Sequence, residues 1–502
     1  MCTGNIVLML GHFPKNLRRE GNSRMAKMFI AGESTGSHSG QTYDVINPAT
    51  GEVVDSAPKG NESDVRAAID AAHAAFQAWS ETAAEARAQL ILKGIDAVRK
   101  ELNELAALLT KEQGKPFGDS QREIEHFLHG MNFYAGLASK IRGSYVPLPD
   151  NKMYGMVLKQ PVGVCGAIVP WNFPITLMGT KVGPALAAGC TIVVKPASTT
   201  PLTTVRIVEL LNQAGLPKGV LSVVTGPGGV VGEEILRNPR VARVAFTGES
   251  KTGKHIMEVA GGQMKRVTLE LGGSDPMIVC EDADIDKALT GASVGRFYNC
   301  GQACLAVKRL YVVESVYDQF VEKLTGKVQR LKVGNGMDKD TRLGPMHSKA
   351  QREEIESQLA DTVKRGAKVV IGGERPEGAE YEKGFFYLPT VLTDAPHDSR
   401  VVTEETFGPV LPVFKVRDLD EGIEKANSSM WGLGSSVWTK DLGKARRAAE
   451  RLQAGNVWIN SLHIGYDEMP FGGVKFSGIG REHGPEALEY YLEPKGVVIA
   501  TP

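Results

Sequence analysis

Cys300 and Cys304 lie in the segment Phe297-Tyr-Asn-Cys-Gly-Gln-Ala-Cys304, and a pair at this spacing can bind metal, pack in a core or supply a nucleophile. A metal site needs further His or Cys ligands at the usual spacing, and the neighbouring sequence offers none, so we expect no metal here. A thiolate adds readily to an aldehyde carbonyl. The adduct can then lose a hydride to a nicotinamide and leave a thioester that water cleaves. A buried pair stays open on this segment alone; covalent cysteine chemistry is the more specific interpretation, and it requires a base.

Glu270, in Thr268-Leu-Glu-Leu-Gly-Gly273, is the candidate base. It stands between two leucines and precedes a glycine turn, where loss of hydration raises the pKa of a carboxyl toward the range useful for activating a thiol or a water. Taken alone, an acid beside Gly-Gly is more often a surface turn residue. The segment by itself leaves both interpretations open.

Asn172, in Pro170-Trp-Asn-Phe-Pro174, directly follows an apolar strand and is bracketed by two prolines. Ligands of open α/β sheets gather at the carboxyl ends of strands. The Asn172 amide can donate a hydrogen bond to the oxyanion that forms when a thiolate attacks, which contributes about 3 kcal/mol at comparable sites. A turn-capping role fits the isolated segment equally well.

The elements around these residues alternate between strand and helix. Short β-branched runs, separated by helical segments, predict a parallel, doubly wound sheet followed by a second α/β domain. The runs lie at 162–169, 191–194, 221–224 and 244–246 for the first domain, and at 277–279, 309–313, 368–371 and 457–459 for the second.

Two further helices and a hairpin complete the predicted elements. An amphipathic helix begins after Asn61, and a second helical stretch at 83–113 ends at Gly114. Alternating residues at 143–159 predict a protruding hairpin, and 496–500 form a late strand. Both leave open edges, which pairing with another subunit would cover.

The charge balance and the cysteine count exclude several classes of protein. Lys plus Arg and Asp plus Glu both number 58, so no net field favours a nucleic acid or an anionic membrane. Six cysteines in 502 residues do not make a disulfide framework, which is typical of a reducing, cytoplasmic compartment. No run approaches the roughly 18 apolar residues of a membrane span. We expect a small-molecule partner.

Several strings closely resemble the aldehyde dehydrogenase superfamily and follow its order along the chain. They are Pro170-Trp-Asn-Phe-Pro174, Gly183-Pro-Ala-Leu-Ala-Ala-Gly189, Lys195-Pro196, Phe246-Thr-Gly248, Glu270-Leu-Gly-Gly273, Gly301-Gln-Ala-Cys304, Glu404-Glu-Thr-Phe-Gly-Pro409 and Pro470-Phe-Gly-Gly-Val-Lys-Phe-Ser-Gly478. The resemblance implies that Cys304 is the nucleophile and Glu270 the general base for deacylation. It implies that Asn172 is the oxyanion donor, together with the Cys304 backbone N–H, and leaves Cys300 as a packing residue.

The same resemblance implies an NAD or NADP site. Lys195 is expected at the adenosine ribose, Glu405 at the nicotinamide ribose and Phe407 against the nicotinamide, with Trp171 also at the cofactor. Two glycine-rich turns, at 226–232 and 248–253, can hold phosphate at a helix start. The residues expected there are Gly232 and Gly248. Glu249 departs from the small hydroxyl residue common at its position, which leaves only Gly248 as the expected pyrophosphate contact.

Ser198 bears on the choice of cofactor. Members of the family that are strict for NAD often carry Glu three residues after the lysine, where a carboxylate accepts from the ribose and repels a 2'-phosphate. Ser198 places no negative charge beside Lys195. The sequence therefore favours NADP, with NAD also accepted.

The substrate pocket departs from the nearest branch. Lys195-Pro-Ala-Ser198 resembles the succinate-semialdehyde dehydrogenase-like branch, but the positions of that branch's two arginines correspond here to Thr180 and Tyr298. A small neutral aldehyde is therefore expected, since a carboxylate would lack its cationic partners. The residues expected to line this pocket are Phe173, Leu177, Tyr298 and His463.

Three alternatives remain beside this expectation. A semialdehyde dehydrogenase of the succinate-semialdehyde type is the first. A coenzyme A-acylating dehydrogenase generally needs no base at the Glu270 position, so Glu270 argues for hydrolysis instead. A non-catalytic structural or binding protein on the same fold would be expected to lack Cys304, Glu270 or Asn172, and all three are present.

The resemblance also implies a division into domains. We expect an extension at 1–24, a dinucleotide-binding domain at 25–140 and 163–274, a catalytic domain at 275–473, and a small β oligomerisation element at 141–162 and 480–502. A homodimer or homotetramer with closed symmetry follows from that element.

Overall fold

The structure, a computed structural model, describes residues 26–500. The predicted extension at 1–24 lies outside the described residues. Within them the predicted fold class is confirmed: two large mixed sheets with helices around them, and a smaller antiparallel sheet.

The first large sheet has eight strands. Its five central strands are parallel, and the strands flanking them pair antiparallel. In spatial order the strands are β19 (Gly478–Ile479), β11 (Arg266–Glu270), β10 (Val241–Thr247), β7 (Val164–Ile168), β8 (Thr191–Lys195), β9 (Leu221–Val223), β1 (Met28–Ile30) and β2 (Glu33–Thr35).

The second large sheet has seven strands, all parallel except the pair at one edge. Its five inner strands are mostly buried, as expected for β-branched runs covered on both faces, whereas the two edge strands are more exposed. In spatial order they are β14 (Lys368–Ile371), β15 (Thr390–Thr393), β16 (Val410–Val416), β13 (Val307–Val313), β12 (Asp275–Val279), β17 (Gly434–Trp438) and β18 (Asn456–Ile459).

The predicted hairpin and the late C-terminal strand pair with each other. They form an antiparallel sheet in the order β20 (Leu492–Ala500), β6 (Met153–Pro161) and β5 (Ser144–Pro147), and β5 is exposed along its whole length. A separate antiparallel pair consists of β3 (Thr42–Ile46) and β4 (Val53–Pro58).

The helices cover the faces of the two large sheets. Those of the first half are α1 (Glu62–Glu81), α2 (Ala84–Lys100), α3 (Leu102–Gln113), α4 (Phe117–Leu137), α5 (Pro174–Ala188), α6 (Leu202–Gln213), α7 (Glu233–Arg237) and α8 (Ser250–Gly261).

The remaining helices belong to the second half of the chain. They are α9 (Ile285–Phe297), α10 (Glu314–Val328), α11 (Lys349–Lys364), α12 (Arg400–Thr403), α13 (Leu419–Asn427), α14 (Leu442–Arg451) and α15 (Gly484–Glu489). None of the helices between residues 26 and 500 is both long and apolar enough to span a membrane.

Two details differ from the sequence-based expectations. The stretch at 83–113 is two helices, because the chain breaks at Glu101, whose carboxylate accepts from Arg206 of α6. Residues 484–491 pack against the core of the first sheet, with the Tyr134 hydroxyl donating to the Gly484 carbonyl, while the small sheet begins at Leu492. The division into domains otherwise stays a prediction.

Three of the candidate residues lie at or just after the carboxyl ends of strands in the first sheet. Glu270 is the last residue of β11, Lys195 is the last residue of β8, and Asn172 follows β7 by four residues. Because these three strands run parallel, their carboxyl ends share one edge of the sheet. The second sheet contributes Cys304 just before β13.

Candidate active site

The chain turns sharply before Cys304. After α9, Asn299 (φ 51°), Cys300 (φ 57°) and Gly301 (φ 72°) are all left-handed. Left-handed backbone is strained for residues other than glycine. At Gly301 a side chain is also excluded, because a Cβ there would overlap the Gly408 carbonyl. The turn carries the chain from α9 to β13 and places Cys304 between them.

Side-chain amides hold this turn in place. Gln302 Nε2 donates to the Asn299 carbonyl at 2.9 Å, and Gln302 Oε1 accepts from the His347 backbone N–H at 2.8 Å. Asn299 Nδ2 donates to the Asn172 carbonyl at 3.1 Å. These buried bonds compensate the strain of the turn and connect it to the first sheet.

Asn172 is held by hydrogen bonds through both its side-chain amide and its backbone carbonyl. Its amide Nδ2 donates to the Gln302 carbonyl at 3.1 Å, and its own carbonyl accepts from Lys115 Nζ at 2.6 Å. Lys115 is fully buried in an ion pair with Glu123, whose Oε1 accepts from the Ile175 backbone N–H at 2.8 Å. One amide hydrogen of Asn172 is left to donate elsewhere.

Glu270 is buried, with 1% of its surface exposed. Among residues 26–500, neither of its carboxylate oxygens accepts a hydrogen bond. Burial raises the pKa of the Glu270 carboxyl well above its usual range; the charge of Glu482 raises it further, and Lys181 opposes the shift. The direction of this shift is the one that the sequence predicted.

Cys304 is half-buried and lies close enough to Glu270 for their charges to interact. Burial, and then the charge of Glu270, raise the pKa of the Cys304 thiol, while Lys308 lowers it. Cys300 by contrast lies in the core against the Met346 sulfur, and burial raises its pKa to about 12. The structure thus brings Cys304, Glu270 and the segment of Asn172 together, and separates Cys300 from them.

Lys308 is a site residue that sequence reasoning missed. Its side chain is fully buried, and its Nζ donates to the Cys304 carbonyl at 2.7 Å and to Glu405 Oε1 at 2.9 Å. The Gly273 backbone N–H also donates to Glu405 Oε1, at 3.1 Å. Lys308 therefore connects the nucleophile segment to the acid expected at the cofactor ribose.

The residues expected around the adenosine ribose fit a ligand with hydroxyl or phosphate groups. Lys195 is buried, burial lowers its pKa to about 8, and in the described part of the chain no hydrogen bond or ion pair involves its ammonium group. A Cβ on Gly228 would lie 4.0 Å from Lys195 Nζ. Ser198 Oγ donates to the Gly226 carbonyl at 2.8 Å. A buried cation without a protein partner beside a glycine turn matches the expected cofactor.

The remaining residues expected at the cofactor are Trp171, Phe407, Gly248 and Gly232. The Trp171 ring meets the Phe407 ring edge-on at 5.6 Å and stacks on His347 at 4.3 Å. Packing alone requires glycine at Gly248, since a Cβ there would lie 2.6 Å from the Phe246 ring. At Gly232 a Cβ would make only an ordinary contact, so packing does not explain that glycine.

The expected substrate residues fall into separate groups. Phe173 and Tyr298 stack at 5.7 Å, and Leu177 is buried on α5. His463 stacks on Trp458 at 4.6 Å, and its Nδ1 lies 2.9 Å from the Leu305 carbonyl, next to Cys304. Burial lowers the pKa of His463 to about 4, so its imidazole is neutral at pH 7.

Most cationic side chains near the pocket already pair or hydrogen-bond with other protein groups. Thr180 Oγ1 donates to Glu482 Oε2 at 2.7 Å, and Lys181 pairs with Glu482 at 2.7 Å. Arg296 is fully buried and donates to backbone carbonyls, including that of Thr406 at 3.0 Å. Arg122, which the sequence did not single out, interacts with the Tyr298 hydroxyl although it is also paired with Asp119.

Known proteins resemble this chain along nearly its whole length. Residues 35–497 match the model of the aldehyde dehydrogenase family. Identity is 42% over 474 residues to the glutarate-semialdehyde dehydrogenase of Pseudomonas putida, covering 94% of this chain and 97% of the relative. It is 41% over 470 residues to the succinate-semialdehyde dehydrogenase [NADP(+)] of Escherichia coli, covering 94% and 97%. A solved structure of betaine aldehyde dehydrogenase from Staphylococcus aureus in complex with NAD+ is 39% identical, with a TM-score of 0.93 and coverage of 95% for both chains.

Replacing Lys308 tests whether its charge acts on the thiol. Lys308→Met removes the cation that lowers the Cys304 pKa, so the pH midpoint for alkylation by iodoacetamide should rise by about one unit. Lys308→Arg keeps the charge and should restore most of the original midpoint. The measurement is the alkylation rate of Cys304 against pH in a Cys300→Ala background. An unchanged midpoint in a folded Lys308→Met protein would contradict the assignment.

Proposed function

Because the chain belongs to the aldehyde dehydrogenase family, we propose that Cys304, Glu270 and Asn172 carry out the reaction of that family. The protein oxidises an aldehyde to a carboxylic acid with NAD or NADP. One observation supports the residue assignment. The half-buried thiol of Cys304, the buried carboxyl of Glu270 and the hydrogen-bonded amide of Asn172 lie together at the edge where the two large sheets meet. Among residues 26–500 the Glu270 carboxyl accepts no hydrogen bond.

The thiolate of Cys304 attacks the aldehyde carbon, so that a C–S bond forms and the carbonyl oxygen gains the negative charge. The remaining hydrogen of the Asn172 amide and the Cys304 backbone N–H stabilise that oxyanion. A bound oxidised nicotinamide would supply the acceptor for a hydride from the same carbon, and a thioester would then remain on Cys304. Glu405, held by Lys308 and Gly273, orients the nicotinamide ribose.

Glu270 acts in the second half of the reaction. It removes a proton from the water that attacks the thioester, the C–S bond breaks, and the carboxylic acid and the Cys304 thiol are released. A buried carboxylate whose pKa is raised by burial is a stronger proton acceptor than an exposed one. The Lys181–Glu482 ion pair, which acts electrostatically on Glu270, sets the local charge.

The assignment of the nucleophile is tested by two matched variants. Cys304→Ala should abolish oxidation, whereas Cys300→Ala should retain most of it, because Cys300 is a core residue that faces Met346. The measurement is the initial rate of reduced-cofactor formation, with circular dichroism as the control for folding. Equal loss in two folded variants would contradict the assignment.

We further propose that NADP supports catalysis at least as well as NAD. The support is the ammonium of Lys195, which has no partner among the described residues, and the absence of an acid at Ser198. A 2'-phosphate would supply the negative charge that the buried Lys195 lacks. The Escherichia coli relative named above is NADP-dependent by its name, which agrees with this preference.

The cofactor preference is tested at Ser198. Ser198→Glu adds a carboxylate beside Lys195 and should shift the ratio of kcat/KM for NADP over NAD downward by at least about tenfold. Ser198→Ala removes the hydrogen bond to Gly226 without adding charge and is the control; its ratio should change little. A strong NAD preference in the unmodified enzyme would overturn the proposal.

For the substrate we propose a small neutral aldehyde. Thr180 and Tyr298 replace the expected arginines, and Lys181 and Arg296 already have partners. A second candidate is a semialdehyde with a far carboxylate. It is favoured by Arg122 beside Tyr298 and by the names of the two semialdehyde dehydrogenases similar to this chain.

A panel of aldehydes separates the two candidates. Small neutral aldehydes should give kcat/KM values at least about tenfold above that of succinate semialdehyde, because a carboxylate without a cation is costly to desolvate. Arg122→Gln should leave both values nearly unchanged. The semialdehyde candidate predicts the opposite order and a selective loss for succinate semialdehyde in Arg122→Gln.

We also propose that the sheet of β5, β6 and β20 is an oligomerisation element of a homodimer or dimer of dimers. Its outer strand β5 is exposed, and Val498 of β20 is 64% exposed. Open strand edges of this kind are usually covered by a partner. Light scattering at micromolar concentration should show an oligomer, and Val498→Lys should weaken it. A monomer in the unmodified protein would contradict the proposal.

A further inference from the structure

Three histidines surround one aspartate on the side of the molecule where α4 meets the segment before α15. His129 Nδ1 lies 2.6 Å and His126 Nε2 3.6 Å from Asp467 Oδ2. His483 Nδ1 lies 2.8 Å from the other carboxylate oxygen, Oδ1. No residue of this cluster takes part in the reaction described above.

The cluster is held firmly by its surroundings. Asp467 and His483 are only 3% and 5% exposed, respectively. A Cβ on Gly130 of α4 would lie 3.0 Å from Asp467 Oδ1, so the glycine lets the carboxylate approach the helix. His483 has a positive φ (54°) with an extended ψ (177°), a strained conformation for a residue with a side chain, and its Nδ1 lies 2.8 Å from Asp467.

We propose that His126, Asp467 and His483 form a site for a divalent transition metal, with zinc as the occupant. One ligand atom from each lies within 4.8 Å of the others. Two imidazoles and one carboxylate suit zinc, whereas calcium and magnesium prefer oxygen ligands throughout. A zinc site with three protein ligands completes its tetrahedron with water.

Only small movements are needed to bind the ion. Ligand atoms in a tetrahedral zinc site lie about 3.3 Å apart, given metal–ligand bonds of about 2.0 to 2.1 Å. His126 Nε2 lies 3.6 Å from Asp467 Oδ2 and His483 Nδ1 lies 2.8 Å from Asp467 Oδ1, and one ligand atom from each of the three residues lies within 4.8 Å of the others. Side-chain shifts of about 1.5 Å or less therefore bring them to that spacing. His129, bonded to the same carboxylate, orients Asp467 as an outer partner.

A second group of possible ligands is less suitable. Asp282, in the cluster of Cys280, Glu281 and Asp282, already accepts hydrogen bonds from the Thr439 hydroxyl and is paired with Lys444. The thiol of Cys304 is itself a zinc ligand by its chemistry, and must be removed before binding is measured. With Cys304 replaced and the group of Cys280, Glu281 and Asp282 tested separately, zinc binding can be assigned to the histidine cluster.

The site would join parts of the chain that are distant in sequence. A metal bound there connects α4 to the residues preceding β19 and α15. The His483 ring also lies 6.0 Å from the Phe471 ring, and Phe471 belongs to the small apolar cluster that includes Cys304. Metal binding would therefore stabilise the structure around Phe471, close to the candidate active site, whatever the course of the reaction.

The experiment uses the full chain with Cys304→Ala, freed of metal by a chelator and dialysed. Equilibrium dialysis with zinc should show one high-affinity ion per chain, and cobalt should give the visible absorption of a tetrahedral site. Asp467→Asn, His126→Ala and His483→Asn should each weaken zinc binding by more than about tenfold.

Glu281→Gln, in the less suitable cluster, is the matched control and should bind zinc as the parent does. Zinc should also raise the Tm of the parent and of Glu281→Gln, but not that of His126→Ala, which changes a half-exposed position and should fold. Three outcomes would overturn the proposal. The parent could fail to bind zinc, the folded histidine variants could bind zinc as the parent does, or Glu281→Gln could lose zinc binding.

Discussion

The hydrogen bond from the Asn172 amide to the Gln302 carbonyl joins the two large sheets at the candidate active site. On one side, the Lys115–Glu123 pair fixes Asn172 and the start of α5. On the other, Gln302 belongs to the strained left-handed turn that precedes Cys304. The position of the thiol relative to the amide therefore depends on contacts between the two sheets more than on either sheet alone.

Ion pairs at this interface neutralise two acidic side chains and leave Glu270 without a hydrogen-bond partner among the described residues. Glu482 is paired with Lys181, and Glu405 with Lys308. Glu270 lies buried between them without a hydrogen bond among the described residues, and burial raises its pKa. A carboxyl in that state can accept a proton, whereas a paired carboxylate is held in its charged form. The two neighbouring lysines thus leave the base role to Glu270.

The fold could be predicted from local sequence because its strands are continuous β-branched runs, such as those of β8 and β13. Glu270 and Asn172 could be found because each belongs to a short contiguous motif at or just after a strand end. Lys308 and Arg122 could not, because their roles come from contacts with Glu405 and Tyr298, which are distant in sequence. The hydrogen bond from Arg206 to Glu101, where the helix breaks, likewise joins residues that are distant in sequence. Local patterns carry no information about such pairings.

In the proposed reaction a thioester forms on Cys304, and Glu270 is needed to hydrolyse it. The most direct measurement is mass spectrometry of a Glu270→Gln, Cys300→Ala protein after mixing with an aldehyde and NADP. We expect an acyl adduct on the peptide that contains Cys304, formed together with a single burst of reduced cofactor and followed by slow turnover. A protein that turns over at the unmodified rate, or one that folds but forms neither adduct nor burst, would contradict it.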